Sequence, residues 1–118
     1  MKVIAMPTLL DLLALDCTQH PAAALTTTEI AQLMNLMPHW QIVSESIQRR
    51  FGFSDFHQTM AFVNAVADVA HRADHHPDLQ VSYSECTIAY TTHSIGGLSL
   101  NDFACAARID ALSGNKSP

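Results

Sequence analysis

The stretch that most constrains this chain is residues 56–73, a long run of helical period that closes against His75-His76-Pro77. At about 100° per residue, Phe56, Met60, Phe62, Val63, Val66, Ala67, Val69 and Ala70 fall on one half of the helical wheel. His57, Asn64, Asp68, His71 and Arg72 fall on the other half. Ser54 is the candidate N-cap, and Pro77 biases His76 out of the α region, so the helix is predicted to end near Asp74 or His75. An amphipathic helix of that length needs a layer to bury its apolar half, and its flanks supply strands. Residues 40–46 and 47–53 read as two strands before the helix, and 81–83 and 86–93 as two after it, each pair with a tight connection. In the last strand Cys86, Ile88 and Tyr90 share one face, while Thr87, Ala89, Thr91 and His93 share the other.

Two further helices bracket this unit. Thr26 and Glu29 have capping-box spacing, Ile30, Leu33, Met34 and Met37 form one apolar stripe, and Pro38 ends it. Ser99 and Asp102 repeat the spacing ahead of Phe103, Ala106, Ala107 and Ile109, in a helix that should fade near Gly114. The order helix, two strands, helix, two strands, helix predicts one α+β domain: a four-stranded antiparallel sheet with helices packed on one face. Residues 1–25 read as an N-terminal extension, with a short helix opening at Thr8, residues 26–112 as the domain, and 113–118 as a frayed tail. At 118 residues, 48% hydrophobic and 14% charged, the chain is long enough for one core and too apolar for disorder.

A net charge of −5 argues against nucleic acid as partner, because phosphate contacts need clustered Lys and Arg. The apolar run 3–15 is interrupted by Pro7 and Asp11 and is too short to span a bilayer, so no membrane is expected. Cys17, Cys86 and Cys105 are odd in number and far apart; they read as small buried hydrophobes in a reducing, cytoplasmic protein.

Histidine is over-represented: seven residues against six Lys and Arg together. His20, His39 and His57 read as loop or solvated surface, whereas His71, His75, His76 and His93 converge with Asp102 on the end of the long helix and the last strand. Neutral imidazoles both donate and accept protons near neutrality, which suits general acid–base catalysis, and a carboxylate can orient one of them. Plainer roles compete: a histidine at a helix C-terminus can simply favour the dipole, and Asp102 can simply close its capping box. A zinc site is disfavoured, because the adjacent His75 and His76 do not readily face one ion.

The run His71-Arg72-Ala73-Asp74-His75-His76-Pro77, followed by Tyr83, His93 and Asp102, resembles the signature of the pterin-4a-carbinolamine dehydratases. Residues 53–56 and 92–98 also look like that family, and the resemblance covers about residues 26–112. It implies loss of water from 4a-hydroxytetrahydropterin to give quinonoid dihydropterin, recycling the cofactor of aromatic amino acid hydroxylases. By resemblance, the catalytic residues are His75, His93 and His76, the pterin-binding residues are His76, Asp74, Thr92 and Ser94, and Asp102 and His71 support them. An elimination implies no metal or redox cofactor, and the family implies a homodimer or homotetramer with a functional link to a hydroxylase. Many relatives carry Glu where His71 stands here. Two other readings remain open at this level: a role in molybdopterin cofactor metabolism, and an interaction module. The resemblance assigns nothing to residues 1–25.

Overall fold

The structure is a computed structural model and describes residues 7–113. The expected frayed tail, Ser113 apart, and the first residues of the apolar run lie outside the described residues. The elements in order are α1 (Leu9–Ala14), α2 (Thr27–Met34), β1 (Gln41–Val43), β2 (Ser46–Gly52), α3 (Phe56–Ala73), β3 (Asp78–Val81), β4 (Glu85–Tyr90), a 3-10 turn (His93–Ile95) and α4 (Leu100–Ser113). The four strands form one antiparallel sheet in the order β1-β2-β4-β3. The α+β architecture is thus the expected one: two hairpins joined by α3, with β2 and β4 paired at the centre.

Pairing sets the inner face. Ile47 lies opposite Tyr90, Arg49 opposite Ile88 and Phe51 opposite Cys86, and all six are buried. Phe62, Val66 and Ala70 of α3 join them, with Phe62 against both Phe51 and Phe53. Residues 101–107 and Ile109 of α4 are all buried, so this helix is covered on nearly every side. One cover is α3; the other is α1, whose Leu12 is buried. Burying one leucine is worth about 2 kcal/mol. Arg108 of α4 also donates to the carbonyls of Leu13 and Leu15 and to Cys17 Sγ. The described part of the N-terminal segment, from α1 to Cys17, is therefore packed into the body rather than trailing from it.

Several boundaries differ from expectation, each for a local reason. Asp55, not Ser54, caps α3: its carboxylate accepts the Gln58 N–H at 2.8 Å, while the Ser54 N–H donates to Gln58 Oε1. Residue 44 has φ +57, so the first strand turns after Val43. The third strand starts directly after Pro77 and stops at Val81, where the Ser82 N–H reaches Glu85 O and starts the turn. The fourth stops at Tyr90, and Thr92 and Gly97 then bridge to each other. A polar cluster under the sheet had no sequence signal: Trp40 Nε1 and Arg49 Nη1 both donate to Asp110, at 2.9 and 2.6 Å. Among the described residues no helix is long and apolar enough to cross a membrane, and the three cysteines are free and buried.

Candidate functional site

The site is built where α3 stops. Asp74 takes the left-handed conformation (φ +51, ψ +41), which aspartate tolerates better than most side chains. Its N–H donates to His71 O and the His75 N–H to Ala70 O, the paired bonds of a Schellman turn. Pro77 biases the preceding His76 toward extended backbone. The reversal takes His75 off the helix surface and turns it inward. Its ring stacks on the buried Tyr90 of β4, with centroids 5.4 Å apart and planes 20° apart. Burial pushes the Tyr90 phenol well above its ordinary range, so the imidazole lies against a neutral ring.

His75 Nε2 lies 2.5 Å from Asp102 Oδ1, and the Asp102 side chain is fully buried. The other carboxylate oxygen accepts from Thr92 Oγ1 at 2.8 Å and from the Ser99 N–H at 2.9 Å. Because the Thr92 hydroxyl gives its one proton to Asp102, the 2.8 Å contact between Thr92 and Ser99 is a bond donated by Ser99 Oγ. Asp102 thus closes the first turn of α4 and orients His75 with the same carboxylate; the two roles set against each other in the sequence coexist. An acceptor at Nε2 fixes the tautomer with the proton on that nitrogen and leaves Nδ1 to take up or release a proton.

His93 opens the 3-10 turn after β4. The Thr92–Gly97 bridge closes this loop, and Gly96 at its end has φ +66, a conformation that costs glycine little. Gly97 permits a close approach, since a Cβ there would meet Ala24 Cβ at 3.1 Å.

One cleft of about 350 Å³, within the usual range for small-molecule sites, joins these pieces. Asp74, His75 and His76 line it from the turn after α3, Thr91, Thr92, His93 and Ser94 from the loop after β4, and Asn101 from α4. Asp102 lies behind it, through His75. His71 is exposed on α3 and does not line the cleft. It stands four residues before His75, the spacing of a helical metal pair, but the turn at Asp74 takes His75 away from that face. Among the described residues no group of three His, Cys, Asp or Glu could hold a metal ion.

The remaining wall was not foreseen. Cys17, His20 and Pro21 of the N-terminal segment line the same cleft, so His20 is not simply loop surface. No periodicity marks these residues; only tertiary packing brings them there. A hydrogen bond with Cys105 and the nearby Arg108 guanidinium bring the Cys17 thiol down to about 7, while Cys105, the other partner of that bond, is pushed up.

Residues 23–112 match the family described as "Pterin 4 alpha carbinolamine dehydratase". A protein of Nitrosospira multiformis named "Putative pterin-4-alpha-carbinolamine dehydratase" is 54% identical over 88 residues, covering 75% of this chain and 78% of its own. A Chromobacterium violaceum protein of the same name is 44% identical over 104 residues, 87% of this chain and 96% of its own. Among solved structures, a transcriptional coactivator/pterin dehydratase from Brucella melitensis matches with TM-score 0.74 at 31% identity, over 77% of this chain and 99% of that one. A pterin dehydratase-like protein identified as a RuBisCO assembly factor in the α-carboxysome matches with TM-score 0.55 at 28% identity, over 65% and 89%. With three quarters of its length matched to that family and with relatives this similar, the chain belongs to the pterin-4-alpha-carbinolamine dehydratases.

Proposed function

We propose that the cleft dehydrates a 4a-hydroxytetrahydropterin to the quinonoid dihydropterin, with His75 and His93 as the acid–base pair. In this reaction the C4a–O bond breaks, N5–H gives up its proton, and a C4a=N5 double bond forms. The hydroxyl leaves as water once it has received a proton. One group must donate and another accept, and neither oxidant nor reductant is consumed, so the step calls for no redox cofactor. The observation that carries the reading is the pairing of His75 with the buried Asp102, which leaves Nδ1 as the exchangeable position. His93 supplies a second imidazole from the opposite loop. His76, Asp74 and Ser94, exposed along the cleft, bind the pterin. Thr92, grouped with them by resemblance, instead spends its hydroxyl on Asp102 and is better assigned to support.

In this reading the protein works in the cytoplasm beside an aromatic amino acid hydroxylase whose pterin it returns to use. Self-association fits the two edge strands, where Ile42, Val43, Leu79 and Val81 are exposed. The likeness to a RuBisCO assembly factor favours an interaction role as the second reading; the oriented imidazole in a cleft favours the enzyme. The direct test generates the 4a-hydroxypterin with a phenylalanine hydroxylase and follows dihydropterin formation. Acceleration over the spontaneous reaction supports the proposal, and none refutes it.

A further inference from the structure

We propose that residues 17–21 form a specificity wall of the cleft, in which His20 recognises a hydroxyl on the substituent at C6 of the pterin. The inference rests on the dehydratase reading above and adds to it a residue that lies before the 23–112 family match. Three observations carry it. The segment lines the cleft through Cys17, His20 and Pro21, together with His75 and His93 but from a separate part of the chain. It is also held rigidly: Asn101 Nδ2 donates to both Cys17 O and Gln19 O at 3.1 Å, and the Thr18 N–H is held by the Asp16 carboxylate at 3.0 Å. Finally, Asn101 and Asp102 are neighbours in the first turn of α4. One grips the N-terminal wall and the other grips His75, so a single helical turn sets the spacing between the wall and the reacting group.

The substituent follows from the chemistry of the ring. The C4a–N5 edge must face the acid–base pair, and C6 is bonded to N5, so a C6 substituent leaves the ring beside the reacting edge and runs toward the rim. His20 is exposed, as a rim residue must be. A neutral imidazole offers one donor and one acceptor, the complement of a hydroxyl, while Pro21 presents apolar surface beside it. Asn101 is then a positioning residue, acting through the backbone it holds.

The experiment compares two substrates on the full chain: a 4a-hydroxypterin with a hydroxylated C6 side chain, and one with only a methyl group there. His20→Ala should raise KM for the hydroxylated substrate roughly three- to tenfold with kcat unchanged, the mark of a lost binding hydrogen bond. KM for the methyl substrate should not move, and His20→Gln should retain most of the wild-type preference. Asn101→Ala should reduce the same preference and leave the pH profile of kcat intact, which a general loss of structure would not do. Unchanged KM values in His20→Ala, or an equal rise for both substrates, would overturn the inference while leaving the dehydratase standing. A wild-type protein inactive on both pterins would remove the dehydratase reading, and this inference with it.

Discussion

Nε2 of His75 and Oδ1 of Asp102 are 2.5 Å apart, and they join a turn at the end of α3 to the first turn of α4. The pair makes the His75 imidazole part of the packing. Asp102→Asn would put an amide where three donors now converge on a carboxylate. The variant should lose about ten- to a hundredfold in kcat, the usual cost of removing a group that orients a histidine. It should also lose about 1–3 kcal/mol of stability, because a buried donor is left without its acceptor. Steady-state rates and urea unfolding on the same preparation measure both.

The loop that carries His93 depends on the left-handed conformation at Gly96, where a side chain has room but the backbone disfavours one. Gly96→Ala should therefore cost about 1–2 kcal/mol. The rate should fall as well, since the loop end that positions His93 relaxes. A substitution at the remote, exposed His57 should change neither quantity.

Asp110 collects hydrogen bonds from Trp40 and Arg49 on the far side of α4 from the cleft-lining Asn101. Asp110→Ala should destabilise the fold by about 2 kcal/mol through lost bonds to partly buried groups. It should leave KM and the pH profile of the folded enzyme unchanged. Thermal unfolding together with kinetics below the transition separates the two effects.

Cys17 gives a pH prediction. Its folded-state thiol titrates at about 7 against an ordinary 9.0, so between those values the folded protein binds fewer protons than the unfolded chain. The stability that Cys17 contributes is gained between about pH 7 and 9.0 and is lost as the pH falls through about 7; above 9.0 the raised Cys105 thiol, still protonated in the folded protein, acts in the opposite sense. Cys17→Ser should flatten the pH dependence of the unfolding midpoint across that window. Arg108→Gln should move the thiolate titration, followed by its ultraviolet absorbance, upward.

Much of this was legible in the sequence where the causes are local. The capping box at Thr26 follows from spacing, as does the Asp102 half of the one expected at Ser99, whose hydroxyl bonds Thr92 instead, and the end of α3 follows from Pro77. The inner face of β4 follows from the alternation of Cys86, Ile88 and Tyr90. Where structure depends on distant partners, the sequence was silent. β3 is an edge strand exposed along its length, so no apolar alternation marks Asp78 to Gln80. The Trp40–Asp110–Arg49 cluster spans most of the chain, and the wall at 17–21 depends on Asn101, which holds the Cys17 and Gln19 carbonyls, and on Arg108, which reaches Cys17 Sγ. At the site, the histidine spacing pointed through a family resemblance to His75, His76 and His93, which line one cleft. It did not reveal that Thr92 turns its hydroxyl to Asp102, or that His20 lies beside the cleft.

The most direct test of the central claim is the carbinolamine dehydration rate of His75→Ala and His93→Ala beside the wild type, each assayed well below its own cooperative unfolding transition. The account predicts that the wild type outruns the spontaneous reaction and that each variant loses about a hundredfold. Full rate in both variants would contradict it.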